Sequence, residues 1–356
     1  MAGAEDIVAI SIPFTTGVVV AAFLPSGEES YFLAALSCSV CLGILLAVVC
    51  LRRTARTELT LLYFLTGVLF YCSSAITGAP DYAAGNAANR MDHLCSLIES
   101  VGYRHRETSA LVEALITGRR GGLSPEIREW FRKSGASHIL ALSGLHLGVI
   151  YALVSKVLGI FGNGRKVTVA RSLTIIVLSG AYARATGASP SIVRAFLFIT
   201  LGELSGLMYG RKKKPVRILC AALMLQLAAS PQIIKSVGFQ LSYLAMFGIF
   251  LLFPYLKNFH PVTGRFDPVG RIWNSAVMSV SCQVFTAPVV WWHFGTFPEY
   301  FILTNLIALP LTEFLVAVSV VAIALHSVGI CPEMLKNLND LAAQILIRCL
   351  HVISTL

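Results

Sequence analysis

Ten stretches of the chain are apolar for long enough, or nearly so, to be helices inside a bilayer. They run roughly over 7–24, 31–51, 59–78, 138–158, 167–187, 191–209, 216–229, 238–256, 272–292 and 300–326. A helix rising 1.5 Å per residue crosses the hydrocarbon layer in about 20 residues. By that measure 216–229 is short, and 300–326 is long and broken at Pro310. Residues 86–133 have a different pattern. Charges there alternate with apolar positions at helical spacing: Leu94, Leu97, Ile98 and Val101, then Leu111 and Leu115, then Ile127, Trp130 and Phe131. This is the period of amphipathic helices lying on a membrane. Ser124 followed by Pro125 marks a helix start, with Ser124 as N-cap and Pro125 at the first position. The pattern predicts an all-α, polytopic transmembrane helix bundle of about 9–11 membrane helices, some broken or re-entrant. It divides into N-terminal transmembrane helices (1–78), an outer-face amphipathic helical segment (79–137), a transmembrane core (138–326) and a C-terminal helix (327–356).

Composition agrees with the pattern. The 356 residues are 56% hydrophobic and 13% charged, with a mean hydropathy of +0.74. A soluble domain carries about 25% charged residues, so no large soluble domain is expected. The net charge of +10 reads first as topology, because membrane proteins place Lys and Arg in cytoplasmic links. With residues 1–6 inside, the inner links are 52–56, 162–166, 211–217 and 257–271, and all are basic. The opposite links, 25–30, 187–190, 230–235 and 293–300, are nearly free of Lys and Arg. The same alternation puts 79–137 on the outer face. There Arg119, Arg120, Arg128, Arg132 and Lys133 run against the charge rule, with headgroup contact the plain reading and a substrate role the alternative.

The acidic M-A-G-A-E-D start lacks a cationic n-region, so 7–24 reads as a retained span. Cys38 and Cys41 form a C-x-x-C inside an apolar span with no second pair, which favours buried thiols over a metal site. The chain has no H-E-x-x-H, P-loop or dinucleotide fingerprint, and no metal or cofactor is expected. The helical run 338–356 stops at I-S-T-L, so a truncated gene product or fragment is one expectation.

The residues that carry chemistry centre on 138–158, read as one helix. His138, Ser143 and His146 lie in its first half, and intramembrane ionisable groups face a bundle interior or a wet cavity. Ser143 and His146, three apart, share a face. Gly144 and Gly148 form a G-x-x-x-G on another side, where a second helix packs closely. Arg184 and Arg194 flank T-G-A-S-P-S at the outer ends of their helices, level with His138. Pro190 favours a fresh helix N-terminus near Ser191, and such a terminus attracts anions. The two arginines read either as the lining of an anionic path or as groups snorkelling to headgroups. Glu203 requires a partner or a wet cavity, for structural pairing or for a proton relay. Gln240 beside Gly238, Pro288 within its span, and Asn305 with Pro310 mark three further breaks or polar linings, as in transport paths. A hydrolase using Ser143 and His146 would require an orienting group and an oxyanion hole, and no carboxylate lies near them in sequence.

G-A-S-H-I-L-A-L-S-G-L-H (135–146) resembles the signature of the ComEC/Rec2 competence family, inner-membrane proteins linked to DNA uptake. L-V-E-A-L-I-T-G-R-R-G-G-L-S (111–124) is similar to a second family run, with Arg119 at its usual Asp. Three later blocks, 179–195 with Arg194 in its R-A dipeptide, 227–245 with G-F-Q-L-S, and 288–310 with T-N-L-I-A-L-P, resemble family blocks in order. The resemblance covers roughly 107–325 and makes 138–326 the competence-type core. It implies a channel core passing single-stranded DNA across the bacterial cytoplasmic (inner) membrane in natural transformation. Implied partners are single-stranded DNA, the lipid bilayer, other competence proteins or a separate nuclease, and a homo-oligomer. Larger relatives carry an OB-like domain, for which 79–106 is too short, and a metallo-β-lactamase-like domain, whose H-x-H-x-D-H this sequence lacks. No enzyme activity is therefore expected. The hypothesised path lining is His138, Ser143, His146, Arg184, Arg194, Gln240 and Asn305. Phe239, Tyr243, Trp291 and Trp292 are candidates for base stacking, although an interface belt explains the two tryptophans equally well. The alternatives are a small-solute or anion transporter, an intramembrane hydrolase using Ser143 and His146, and a non-functional remnant.

Overall fold

The computed structural model describes residues 6–24, 27–51, 56–77, 87–141, 143–162, 164–210, 214–259, 267–295, 297 and 299–355. The basic links at 52–55, 211–213 and 260–266, and the start of the outer-face segment at 79–86, lie outside the described residues. The helices in order are α1 (Asp6–Ala22), α2 (Glu28–Leu51), α3 (Arg56–Thr77), α4 (Ala87–Ser100), α5 (Arg106–Thr117), α6 (Pro125–Lys133), α7 (Ser137–Leu140), α8 (Gly144–Gly159), α9 (Arg165–Ala185), α10 (Pro190–Tyr209), α11 (Pro215–Ala229), α12 (Val237–Leu251), α13 (Phe253–Leu256), α14 (Pro268–Phe294), α15 (Phe301–Ser327) and α16 (Glu333–Ser354). The protein is an all-α transmembrane bundle, with no strand among the described residues.

Five segments among the described residues are long and apolar enough to cross a membrane: Leu59–Thr77, Pro190–Tyr209, Val237–Phe259, Pro268–Phe294 and Phe301–Ser327. Four more apolar segments, in α1, α2, α8 and α11, are shorter. Two expected breaks are absent. Pro288 and Pro310 lie inside continuous α14 and α15. A membrane helix tolerates proline where neighbouring groups take up the freed carbonyl.

The chain divides into two compact units, one of Met1–Tyr82 with Leu197–Tyr243, the other of Ala83–Phe196 with Leu244–Leu356. In the first unit α1 and α3 cross at two glycines. A Cβ on Gly17 would fall on the Phe64 carbonyl oxygen, and one on Gly67 on that of Phe14. Phe14, Val18, Val68, Tyr71 and Cys72 are buried in this unit. A 3-10 turn, Pro231–Lys235, follows α11. Gln232 Nε2 donates to Ser74 O at 3.0 Å, and Lys235 Nζ lies 5.6 Å from the Tyr71 ring centroid. Cys38 and Cys41 are free thiols within α2.

The second unit corrects the expectation that 86–133 lies on the membrane. The apolar faces of α4, α5 and α6 are covered by protein. Ile98, Leu111, Leu115, Ile127 and Phe131 share one core with Ile139 and Leu140 of α7, Leu315 and Val316 of α15, and Leu346 and Leu350 of α16. Helical periodicity identifies an apolar face without saying what covers it. Here α15 and α16, packed together, take the place expected for lipid. The Ser124 N-cap is present, accepting from Ile127 N at 3.3 Å with Pro125 at the helix start. Gly118 ends α5 at φ +79°, a left-handed conformation that favours glycine.

Candidate functional site: a helix break beside a buried arginine

The predicted helix over 138–158 is not continuous. The four-residue α7 ends at Leu140, Ala141 and Ser143 are extended, and α8 begins at Gly144. Leu142 lies outside the described residues. Ser-Gly is itself a helix-start signal, since a serine prefers the N-cap to a helix interior. The overall apolarity of 138–158 conceals that boundary. At 16 residues α8 is about 24 Å long, short of a full crossing.

This corrects three expectations. His138 is exposed on α7, with Nδ1 3.1 Å from Gly135 O, and does not begin the long helix. Ser143 is the N-cap of α8 and not a helical neighbour of His146, and its side chain makes no capping bond. His146 is 1% exposed, and neither ring nitrogen has a hydrogen-bond partner. The nucleophile–base hydrogen bond that a Ser143–His146 hydrolase requires is therefore not formed.

The surroundings of the break are held by specific bonds. Thr304 Oγ1, one turn into α15, donates to Ser134 O at 2.6 Å, fixing the turn before α7. Tyr182 OH, in the last turns of α9, donates to Ile116 O at 2.7 Å. α9 and α10 join through Gly187 (φ +77°) and Ala188 (φ +51°), the latter in a region that disfavours a side chain by about 1–2 kcal/mol. Ala188 N donates to Ala183 O at 2.9 Å, so the turn is tight and satisfied. As expected, α10 opens at Pro190.

Arg194, one turn into α10, is 8% exposed. A Cβ on Gly144 would stand 2.6 Å from its Nη2 and 3.1 Å from Ala195 Cβ. Glycine at 144 therefore lets the guanidinium lie across the first residue of α8. The second glycine of the G-x-x-x-G has no such role, since a Cβ on Gly148 meets nothing within 4 Å. Cys282 of α14 lies within the electrostatic reach of Arg194. The first turns of α8 and α10 carry no acidic residue. With the partial positive charge of two helix N-termini added, this corner of the unit is cationic.

The other predicted residues fall elsewhere. Asn305 is half-buried on α15, with Oδ1 unpartnered. Arg184 is exposed in the last turn of α9, where a cation complements the helix dipole. Gln240 belongs to the first unit, where Nε2 donates to Ile234 O at 2.8 Å and ties α12 to the 3-10 turn. Phe239 and Tyr243 are 2% and 4% exposed in that unit, and Tyr243 OH donates to Gln226 Oε1. They are core groups, not free stacking platforms. Trp291 and Trp292 are exposed. Glu203, a residue of the first unit, is buried and is not without an interaction. Sequence reasoning missed Gln283 of α14, whose buried Nε2 has no partner; a glutamine inside an apolar span was the available signal. Among the described residues no group of three His, Cys, Asp or Glu is placed to hold a metal ion.

A buried neutral imidazole without partners is destabilising by about 1–3 kcal/mol. His146→Leu is therefore expected to raise the thermal unfolding midpoint in detergent. A lowered midpoint would mean that the ring supports the fold.

Comparison with known proteins adds the family. Residues 115–356, more than half of the chain, match the family described as Competence protein. ComE operon protein 3 of Bacillus subtilis (strain 168) is 24% identical over 216 residues, 61% of this chain and 26% of that protein. The chain thus spans about a quarter of the length of the curated relative it matches. No solved structure matches. The matched region contains the α7–α8 break, Arg194 and the helices around them, and the chain belongs to the Competence protein family of ComEC/Rec2-type membrane proteins.

Proposed function

We propose that the chain is the core of a channel that passes single-stranded DNA across the cytoplasmic membrane during natural transformation, and that it works by passage without chemistry. One observation carries the reading: an interrupted helix backbone at 141–143 with a buried guanidinium, Arg194, laid on the residue that restarts the helix. Irregular backbone at membrane depth is tolerated where it is buried in protein or lines a wet cavity. A polyanion in transit requires fixed positive charge in its path. Ser143 borders this path at the break, and His138 and Arg184 stand near its outer mouth. The basic links face the cytoplasm and α4–α6 the outer side. In this reading the partners are single-stranded DNA, other competence proteins or a separate nuclease, and a second copy of the chain.

The test is uptake of labelled DNA into a DNase-resistant cytoplasmic pool. The host is a competent strain lacking its own channel, complemented at matched membrane levels. The wild-type chain is expected to restore uptake, and Arg194→Ala to reduce it by at least about tenfold, since a hydrogen bond to a charged group contributes roughly 1.5–3 kcal/mol. Uptake with both would take Arg194 off the path. Uptake with neither, despite good expression, would sink the autonomous channel. A small-anion transporter would use the same cationic break, but would not give salt-sensitive binding of oligonucleotides.

A further inference from the structure

The outer-face cations look equivalent in the sequence, but the fold sorts them. Arg119 pairs with Asp92 and also reaches Cys95 Sγ. Arg132 grips Glu129 through Nε at 2.8 Å and Nη2 at 2.6 Å, and Lys133 lies 4.0 Å from the same carboxylate. Arg120 is directed elsewhere. Its Nε donates to Leu140 O, the last carbonyl of α7, at 3.3 Å. That carbonyl borders the break, and a helix-end acceptor there otherwise lacks an intrahelical donor. Nη1 and Nη2 have no partner among the described residues, and the residue is exposed. An arginine anchored by Nε keeps the outer edge of its fork free, in the geometry that takes two oxygens of a phosphate.

The break is therefore flanked by two guanidiniums of different elements. Arg120, just after α5, is anchored at Leu140, and Arg194 of α10 lies over Gly144. Leu140 and Gly144 are four residues apart in the sequence, so the chain between these anchor points spans at most about 14 Å. We propose that Arg120 is a phosphodiester-binding residue at the outer side of the α7–α8 break, taking a backbone phosphate of the single strand before that strand reaches Arg194. The proposal rests on the reading of this chain as a DNA path. A phospholipid headgroup offers the same phosphodiester chemistry, and the test separates the two sources.

The full chain in phosphatidylcholine nanodiscs is titrated with a labelled oligothymidylate, and anisotropy is followed as salt rises. Each phosphate contact on a single strand contributes about 0.7 to the slope of log affinity against log salt. Arg120→Gln is expected to lower the slope by about that amount and Arg120→Lys to keep it. Arg128→Gln, which removes an exposed cation of α6, is expected to leave it unchanged. Circular dichroism and a single elution peak establish that each variant is folded. No binding by the wild-type chain would remove the DNA reading, and this proposal with it. Binding with an unchanged slope in Arg120→Gln would overturn the proposal alone, as would an equal fall in Arg128→Gln, which means diffuse surface charge. In a second arm, phosphatidylglycerol is added to the discs. An Arg120→Gln variant that loses phosphatidylglycerol binding but keeps strand binding would assign the site to a headgroup and overturn the proposal.

Discussion

Alanine at Gly67 is expected to separate α1 from α3 and to deplete folded protein. The two helices meet backbone to backbone, with Gly17 against the Phe64 carbonyl and Gly67 against that of Phe14. Both obstructing atoms belong to helix backbone, so no rotamer change makes room. Between helices in lipid there is no hydrophobic force to compensate, because lipid tails are as apolar as the side chains. Association depends on this close approach, which also brings Val18, Val68, Tyr71 and Cys72 into the interior. The expected destabilisation is about 3 kcal/mol, the upper end of ordinary overpacking. It is read as a lowered unfolding midpoint and a reduced monodisperse fraction in detergent. Gly43→Ala in α2 is the control, since a Cβ there meets nothing within 4 Å. It is expected to be neutral or to gain a little from the better helix former. Equal losses in both variants would rule out the crossing as the cause.

Asp340→Ala is expected to release the segment that leads into α5. The Asp340 carboxylate, 5% exposed on α16, accepts from Arg104 N at 3.0 Å and from His105 N at 3.3 Å, where His105 is the N-cap of α5. Its neighbour Asn339 accepts from Ser319 Oγ at 3.2 Å and donates to Tyr103 OH at 3.4 Å. Burial pushes the Tyr103 phenol up to about 12, so it remains a neutral partner. A hydrogen bond to a charged group contributes roughly 1.5–3 kcal/mol, so losing two acceptor contacts at once is expected to cost about 3 kcal/mol. Asp340→Asn keeps one acceptor oxygen and is expected to lose about half as much. Thermal unfolding measures the stability, and limited proteolysis at 101–105 reports the local release. Because Arg120 follows the C-terminus of α5, the latch also bears on the geometry at Leu140. An Asp340→Ala chain as stable and protease-resistant as wild type would show that the latch is dispensable.

Much of this protein was legible where the signal was local. Ser124-Pro125 and Pro190 begin helices because capping and the fixed proline φ act within one turn. The spacing of Leu111, Leu115, Ile127 and Phe131 announced amphipathic helices. It was silent about their cover, which comes from α15 and α16 more than 170 residues later. The proline signals were local too, yet misleading: Pro288 and Pro310 sit in unbroken helices because a bundle can satisfy a freed carbonyl from outside the helix. The real break lies in a run apolar enough overall to read as one helix, marked only by Ser143-Gly144.

The candidate site divides in the same way. Arg194 and His146 were recognisable because an ionisable side chain in an apolar run is expensive and requires a reason. That Arg194 lies over Gly144, that His146 lacks partners, and that Arg120 is anchored at Leu140 while Arg119 and Arg132 are neutralised all depend on contacts between distant segments. The sequence by itself determined the class of protein, its helical elements and the residues too costly to be idle, because hydropathy, periodicity and desolvation act residue by residue. Only the tertiary structure decided where the apolar run 138–158 is interrupted and which cations border that interruption, because both depend on which helix end, carbonyl or carboxylate is brought within reach.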